Sequence, residues 1–181
     1  IEISSESIGA DLGEWVSRMN RQVTLDMKAG RFVGLTFLLA DAEKSSMQIC
    51  AAGQFPPLHF SDGKWQRFEM KTQLPLGILS TCAYTADRVS LRRGDSWLLF
   101  SDGITEARNT SDEEFTEERF LVSLASDPSA PQTLTSAVTA WKGFVQTAPQ
   151  HDDASLLLLD WRGLPPPTEL PATCAPDQLG Y

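Results

Sequence analysis

LRRGDSWLLFSDGITEAR, residues 91–108, is the part of the chain from which its fold is predicted most directly. At its centre, Trp97 to Phe100 form a short apolar run between charged residues and Ser101-Asp102-Gly103. Such a run between turn signals is typical of a strand buried on both faces. Asp102 then lies where the strand leaves the core, and Gly103 allows a sharp turn there. A carboxylate in that position needs a cation or several donors to stay ionised, although Asp-Gly is also a common turn pair.

A second group of carboxylates shows the same arrangement further along the chain. Asp152 and Asp153 precede the apolar run 154–159, which predicts another buried strand. If the two strands are neighbours, we expect Asp102 and Asp152 to lie close together at one end of the sheet, with converging carboxylates. Oxygen ligands of this kind favour Mg²⁺ or Mn²⁺ over zinc. His151 beside the pair is a candidate proton donor, or equally an ordinary surface histidine.

The remaining periodicity alternates between helical and extended stretches. A helix is predicted from Ile8 to Met27, with Ser7 as its N-cap and Gly30 as its stop signal. Asp62-Gly63 between two apolar runs predicts a hairpin with a type I′ turn. The other predicted elements are a central strand at 32–40, strands at 47–51 and 84–91, and helices at 116–125 and 129–146.

Composition places the chain among ordinary globular domains. Its 181 residues suffice for one domain with a sizeable core, and 41% of them are hydrophobic. The formal net charge of −9 argues against a nucleic-acid surface, which needs clustered Lys and Arg. No apolar run approaches the length that spans a bilayer, and no signal peptide opens the chain. The sequence starts at Ile1 rather than Met, so we expect it to be part of a longer polypeptide.

Cysteine usage indicates a reducing, cytoplasmic setting. Cys50, Cys82 and Cys174 are isolated, and three cysteines cannot all pair within one chain. His59 and His151 are too scattered to complete a zinc site with them.

Two segments are predicted to be irregular. Residues 109–118 carry five carboxylates and are interpreted as a solvated loop followed by the first turn of a helix. Residues 163–181 are rich in proline, so the predicted division is a domain at 1–162 and a tail at 163–181. We expect the tail to lie on a sheet edge or to bridge two chains, with a passive linker as the alternative. Its apolar anchors are Leu164, Leu170, Leu179 and Tyr181.

Several motifs, taken together, resemble one known family. The matching stretches are FVGLTF at 32–37, AAGQFPP at 51–57, LG at 76–77, GD through SDGITEA at 94–107, and DDAS at 152–155. In order and spacing they resemble the SpoIIE-type branch of the metal-dependent (PPM, type-2C-like) Ser/Thr protein phosphatases. The resemblance covers roughly residues 11–161. It implies an α+β fold, an αββα sandwich of two antiparallel sheets flanked by helices.

The resemblance also implies roles for individual residues. Asp102 and Asp152 match catalytic metal ligands of the family, and Asp153 matches a supporting position next to Asp152. The implied metal site is therefore Asp102, Gly103, Asp152 and Asp153, and the implied cofactor is Mn²⁺ or Mg²⁺. Ser101 stands where threonine is commoner in the family.

The chain departs from the family pattern in two places. Gln54 occupies the histidine position of an Ala-Gly-His-x-Pro motif. The Gly-Asp-x-x-Asp strand and the Asp-x-x-Gly-His-Gly turn, which supply bridging metal ligands in the family, do not occur in this sequence. Asp102 and Asp152 therefore provide at most half of a coordination sphere, and the family strands lacking here would leave a sheet edge exposed.

The function that the resemblance implies is dephosphorylation of Ser or Thr on a STAS-type anti-sigma factor antagonist in bacterial partner switching. The implied partners are that phosphorylated STAS-domain protein, an upstream sensor or receiver domain and, as a further option, a second copy of the chain. The alternative is a catalytically degenerate phosphatase fold that binds a phosphoprotein or dimerises. A plain α/β sandwich domain with acidic turns is the remaining interpretation.

Overall fold

The computed structural model describes residues 11–28, 30–124 and 130–163, with the backbone alone at Ala130 and Pro131. One helix is followed by six strands, three helices and a last strand, an α+β arrangement. The helices are α1 (Leu12–Asp26), α2 (Asp102–Thr105), α3 (Glu117–Ser123) and α4 (Ala130–Val145). The strands are β1 (Leu35–Asp41), β2 (Ser46–Ala52), β3 (Leu58–Ser61), β4 (Lys64–Arg67), β5 (Asp87–Ser90), β6 (Ser96–Phe100) and β7 (Leu156–Asp160).

The strands form two antiparallel sheets. One sheet has the order β1-β2-β5 and the other has the order β4-β3-β6-β7. In the second sheet β6 lies between β3 and β7, and its register with β7 runs from Ser96↔Asp160 to Phe100↔Leu156. The predicted class, two antiparallel sheets with helices, is confirmed.

Three apolar layers hold these elements together. Leu12 and Val16 of α1 pack against Cys50 and Ala52 on the outer face of the first sheet. Met47, Ile49 and Trp97 lie between the two sheets. Leu98, Phe100, Phe120 and Ala137 pack between the second sheet and helices α3 and α4. Alternate residues of β6 thus enter different layers, as a strand requires.

The start of α1 differs from the prediction. The helix begins at Leu12, and the Asp11 carboxylate accepts hydrogen bonds from the backbone N–H groups of Gly13 (2.8 Å) and Glu14 (3.2 Å). Ser7 is therefore not the cap of this helix, and it lies outside the described residues. Asp11 is the better cap because its carboxylate satisfies two amides that the first helical turn leaves without partners.

The predicted hairpin is confirmed. Strands β3 and β4 are joined by Asp62 and Gly63, whose φ angles of 52° and 75° are those of a type I′ turn. The helices predicted at 116–125 and 129–146 correspond to α3 and α4. The acidic residues before α3 form a turn-rich loop, as expected.

The strand predicted to be central at residues 32–40 is instead an edge strand, β1. Its apolar residues are not fully covered: Leu35 is 39% exposed, and Phe32, which precedes the strand, is 61% exposed. The run 154–159 was predicted to form a buried strand, and this prediction is also wrong in part. The strand that forms there, β7, is an edge strand, and its Leu157 is 60% exposed. In the described part of the chain no strand pairs with the outer side of either one.

The stretch 84–91 is a strand only from Asp87 to Ser90. Tyr84 is buried beneath α1, where its backbone N–H donates to Ser17 Oγ (2.8 Å) and its hydroxyl to the Leu74 carbonyl (3.0 Å). Tertiary hydrogen bonds therefore override the local alternation pattern.

The tail, from Leu164 onward, lies outside the described residues. Over residues 11–28, 30–124 and 130–163, no helix has the length and apolar character needed to cross a bilayer.

Candidate functional site

The C-terminal end of β6 and the N-terminal end of β7 meet at one end of the second sheet. Phe100 is opposite Leu156 in the antiparallel ladder, so the turns that carry Asp102 and Asp152 both extend from this end. The two aspartates therefore lie at one end of the sheet and next to neighbouring strands, as predicted. The expected convergence of their carboxylates stays a prediction. Asp102 is half-buried, whereas Asp152 and Asp153 are exposed.

Ser101 joins the two turns by hydrogen bonds. Its hydroxyl donates to the Asp153 carbonyl (2.9 Å) and accepts from the Ser155 N–H (2.9 Å), while its own N–H donates to the Ser155 carbonyl (3.1 Å). One side chain therefore sets the position of Asp102 relative to residues 152–155. Sequence reasoning treated Ser101 as a mild replacement for threonine and missed this role. The signal available was a hydroxyl directly before the Asp-Gly pair.

Gly103 allows the two turns to come into direct contact. A Cβ atom at Gly103 would lie 2.4 Å from the Asp153 carbonyl oxygen and 2.9 Å from its carbonyl carbon. The expected reason for the glycine, a sharp turn at the strand end, is wrong: Gly103 lies in the first turn of α2. Its missing side chain is needed for a close backbone approach instead.

One oxygen of each aspartate is already engaged by the following residue. Asp102 Oδ1 accepts from the Gly103 N–H (3.0 Å), and Asp152 Oδ1 accepts from the Asp153 N–H (2.7 Å). Across the described ranges, neither aspartate forms a salt bridge with Lys or Arg. We call the two contacting turns, residues 101–103 and 152–155, the junction. The junction concentrates negative charge that no described side chain neutralises, which is favourable for binding a cation.

The donors at the junction match a hard divalent cation in kind but not in number. Carboxylate oxygens are the ligands that Mg²⁺ and Mn²⁺ prefer. Among the residues that the structure describes, however, no three His, Cys, Asp or Glu residues are grouped closely enough to hold a metal ion. The metal-ligand roles expected of Asp102, Gly103, Asp152 and Asp153 therefore stay predictions.

A cavity of about 200 Å³ opens beside Asp152 and Gly103. We call it the Asp152 cavity; it lies between α2 with the segment after it, the end of α4, and the loop before β7. Its other lining residues are Glu106, Ala107, Arg108, Glu114, Trp141, Val145, Pro149, Gln150 and His151. His151 is exposed, so both interpretations of this residue stay open.

On the other side of the junction, a cleft of about 320 Å³ opens between the two sheets at β1 and β7. We call it the inter-sheet cleft; it is lined by Gly34, Leu35, Thr36, Gln54, Phe55, Leu99, Phe100, Ser101, Ser155, Leu156 and Leu157. Gln54 thus lines the same cleft as Ser101, at the end of the sandwich from which the aspartates extend. The turn before it needs Gly53, whose φ is +72° and whose Cβ would lie 2.4 Å from Pro75 Cγ.

Two stacked phenylalanine rings form part of the wall of this cleft, and a guanidinium lies against one of them. The Phe55 and Phe100 rings are stacked with centroids 6.0 Å apart, and the Arg67 guanidinium lies 4.9 Å from the Phe55 centroid. Arg67 also forms an ion pair with Glu117 and donates to the Pro56 carbonyl (3.2 Å). Sequence reasoning did not identify Arg67, because its partners come from distant parts of the chain.

The histidine and cysteine residues of the core are not part of the junction. His59 stacks on Trp97 at 4.2 Å between centroids, with its Nε2 3.9 Å from Asp95 Oδ1. Burial lowers the pKa of His59, and the Asp95 carboxylate partly opposes this effect. Cys50 and Cys82 are free thiols, and burial raises the pKa of Cys50 to about 11. A buried thiol of this kind is a packing residue rather than a nucleophile.

Comparison with known proteins gives the chain a family. The model of the family described as Stage II sporulation protein E (SpoIIE) matches residues 5–162. The phosphoserine phosphatase RsbU of Bacillus subtilis (strain 168) is 26% identical over 147 residues, a match that includes 80% of this chain and 43% of that protein. The chain therefore spans less than half the length of this curated relative.

Solved phosphatase domains share the fold. The SiaA-PP2C domain of Pseudomonas aeruginosa superposes with a TM-score of 0.67 at 19% identity, covering 86% of this chain and 63% of that one. The RsbU and RsbW domains of a Mycobacterium tuberculosis protein give a TM-score of 0.65 at 21% identity, with 88% and 44% covered. The Mn-presoaked phosphatase domain of SpoIIE from Bacillus subtilis gives 0.58 at 15% identity, with 91% and 77% covered.

These likenesses establish the fold, and the family match extends over most of the described residues. They also agree with the motifs at the junction of β6 and β7. The chain belongs to the SpoIIE family, the SpoIIE-type branch of the PPM phosphatases.

Proposed function

We propose that this chain is the phosphatase domain of a bacterial partner-switching regulator that removes phosphate from serine or threonine of a STAS-type anti-sigma factor antagonist. The observation that carries the proposal is the junction in which Ser101 and Gly103 hold the Asp102 turn against residues 153–155. Two aspartates of the family motif thereby extend from one end of one sheet. The RsbU relative is named a phosphoserine phosphatase, which supports phosphoserine as the group that is hydrolysed.

Asp102 and Asp152, with Gly103 and Asp153 beside them, would hold Mn²⁺ or Mg²⁺ as part of a larger ligand set. When bound, such an ion neutralises phosphoryl charge and makes a water molecule more acidic. The residues of this chain would keep the oxygen donors at fixed separation, because Ser101 ties both turns together. Such preorganisation is where protein side chains contribute most to phosphoryl transfer.

The proposed reaction is hydrolysis of a phosphomonoester. The oxygen of a water molecule bonds to phosphorus, the bond from phosphorus to the seryl or threonyl oxygen breaks, and inorganic phosphate leaves. The released oxygen takes up a proton to restore the hydroxyl. His151, exposed and lining the same cavity as Asp152, is a side chain that can hold this proton.

A second candidate is a degenerate phosphatase fold that binds a phosphoprotein, or dimerises, without turnover. Gln54 in place of the motif histidine and the partial ligand set favour this alternative. Both candidates use the same junction, and they differ in whether phosphate is released. We place the protein in the cytoplasm, in the reducing setting that its cysteine usage favours, and propose an upstream sensor or receiver domain in the complete regulator.

Substitution of the two aspartates tests the enzyme. In the full-length gene product, we expect Asp102→Asn and Asp152→Asn each to lower the rate of phosphate release from a phosphoserine STAS protein with Mn²⁺ by at least about a hundredfold. Asp62→Asn is the matched control, because asparagine is equally suited to the type I′ turn and Asp62 is remote from the junction. Equal activity of the wild type and both junction variants would contradict the proposal. Tight phosphoprotein binding without phosphate release would favour the degenerate module.

The 181-residue chain alone should release little phosphate, even with added Mn²⁺. Half a ligand set cannot position both an ion and an attacking water against phosphorus. The measurement is phosphate release by this chain next to the full-length product at equal concentration. Robust turnover that Asp102→Asn abolishes would show that the ligand set of this chain is complete.

A further inference from the structure

The Asp152 cavity adjoins the proposed reaction site but is not explained by it. Gly103 and Asp152 form one of its walls, so a group bound in the cavity lies next to the turns that would hold phosphate. Its volume of about 200 Å³ is below the roughly 300 Å³ at which pockets for drug-sized ligands begin. The cavity therefore has room for one long side chain rather than for a nucleotide or a peptide segment.

Part of the cavity lining is apolar. It includes Trp141, Val145 and Pro149. The Trp141 indole N–H donates to the Ile104 carbonyl (3.1 Å), so the ring has no further N–H to offer a ligand. What Trp141 can offer is ring surface, which suits methylene groups and cations.

The charged part of the lining is negative on balance, because it has the carboxylates of Glu106, Glu114 and Asp152 against one guanidinium and the imidazole of His151. Arg108 lines the cavity, but its guanidinium already pairs with Asp112 (3.1 Å) and with Glu114. Glu106 is exposed and forms no ion pair within the described residues. Asp112 and Glu114 together carry one more negative charge than Arg108 can neutralise. Even if Asp152 binds a metal ion, this charge and that of Glu106 remain near the cavity. An anionic group would be repelled here, whereas a cationic one would be attracted.

We propose that the Asp152 cavity binds a lysine or arginine side chain of the protein substrate, close in sequence to the phosphorylated residue. This inference rests on the proposed function, since it names a feature of the substrate for the same site. The methylene stem would lie on Trp141 and Val145, and the charged end would reach Glu106. The substrate would thus be held at two points, with its phosphate at the junction and its cationic side chain in the cavity.

Binding measured without turnover tests the inference. Serine peptides that carry a single lysine, scanned through the positions flanking the serine, are titrated into the 181-residue chain by calorimetry in the presence of a chelator. Each lysine peptide is compared with a norleucine peptide, which keeps the stem and removes the charge. At one position we expect lysine to bind about three- to tenfold more tightly than norleucine, the range for a partly exposed ion pair with a ring contact.

Variants of the cavity residues test which side chain causes the preference for lysine over norleucine. Glu106→Gln should abolish it and Glu106→Asp should restore most of it, while Trp141→Leu should weaken both peptides. Glu43→Gln, which removes a carboxylate remote from the cavity, should leave the preference unchanged. Thermal unfolding of each variant identifies any that fail to fold. A lysine preference that survives Glu106→Gln, or equal affinities at every position, would overturn the inference.

The two proposals can fail separately. If the full-length product releases no phosphate but this chain keeps a Glu106-dependent lysine preference, the phosphatase proposal fails and the cavity assignment stands. If phosphate is released at equal rates from lysine and norleucine phosphopeptides and no binding preference exists, the cavity assignment alone is wrong.

Discussion

Strands β6 and β7 are similar in sequence and hydrogen-bonded to each other, yet their surroundings differ. In β6, Trp97 and Leu98 are 1% and 0% exposed, whereas Leu157 of β7 is 60% exposed. The difference follows from position: β6 has a neighbouring strand on each side, and β7 has one described neighbour. An apolar run thus predicts a strand reliably, but it does not reveal whether that strand is central or at an edge.

The largest expected effect contrasts one leucine from each strand. Leu98→Ala should lower the free energy of unfolding by about 2–5 kcal/mol, because it leaves a void between the sheet and the helices. Leu157→Ala should cost less than about 1 kcal/mol, because most of the side chain is already in solvent. Urea denaturation of the 181-residue chain measures both. Equal losses would show that Leu157 is covered in solution, by a part of the chain outside the described residues or by a second copy.

A smaller effect concerns the contact between the ends of the two strands. Gly103→Ala places a Cβ 2.4 Å from the Asp153 carbonyl oxygen, and overpacking of this kind costs about 1–3 kcal/mol. Gly143→Ala is the matched control in α4, where a Cβ meets nothing within 4 Å. That variant should gain up to about 1 kcal/mol, from the higher helix propensity of alanine. If Gly103→Ala were neutral, the two turns would not be in contact as described.

The smallest effect is a pH dependence of the free energy of unfolding. It arises between the sheets, where His59 stacks on Trp97 of β6. Burial lowers the pKa of His59 in the folded protein below its ordinary value of 6.5. The unfolded chain therefore binds a proton first as the pH falls. This contribution to stability is complete above about pH 6.5 and decreases as the pH falls from there towards the lowered pKa.

Replacing the imidazole tests this dependence. His59→Phe keeps an aromatic ring on Trp97 and should flatten the stability profile below pH 6.5, while His151→Gln, at an exposed position, should leave it unchanged. Urea midpoints at several pH values measure the slope. An unchanged slope in His59→Phe would assign it to other groups.

Local patterns predicted much of the fold. The Asp62-Gly63 turn, helices α3 and α4 and strand β6 follow from turn chemistry and periodicity that act over a few residues. The aspartate placement also followed, because each aspartate comes next to an apolar run. The edge position of β1 could not be predicted, since it depends on which strands are neighbours. The ion pair of Arg67 with Glu117 joins residues 50 positions apart, and no local pattern records it.

For the candidate site, the position of the two aspartates at the end of the sheet could be predicted, but the hydrogen bonds that join the two turns could not. Asp102 and Asp152 were identified from their positions, whereas the hydroxyl bridge from Ser101 depends on a register between strands that sequence does not specify. For Gly103 the residue was singled out and the reason was wrong, because a close approach of two backbones looks the same in sequence as a sharp turn.

The edge strands also affect how the purified chain behaves at high concentration. β1 has the sequence LTFLLAD, with its single charge at the last residue, so no lysine or proline within the strand discourages pairing with another chain. At neutral pH the net charge of −9 favours repulsion between molecules. Acidification removes that repulsion while the strand edges stay available, so we expect precipitation to begin on mild acidification, before the fold is lost. Neutral, low-salt buffers are therefore the conditions under which this chain should remain dispersed.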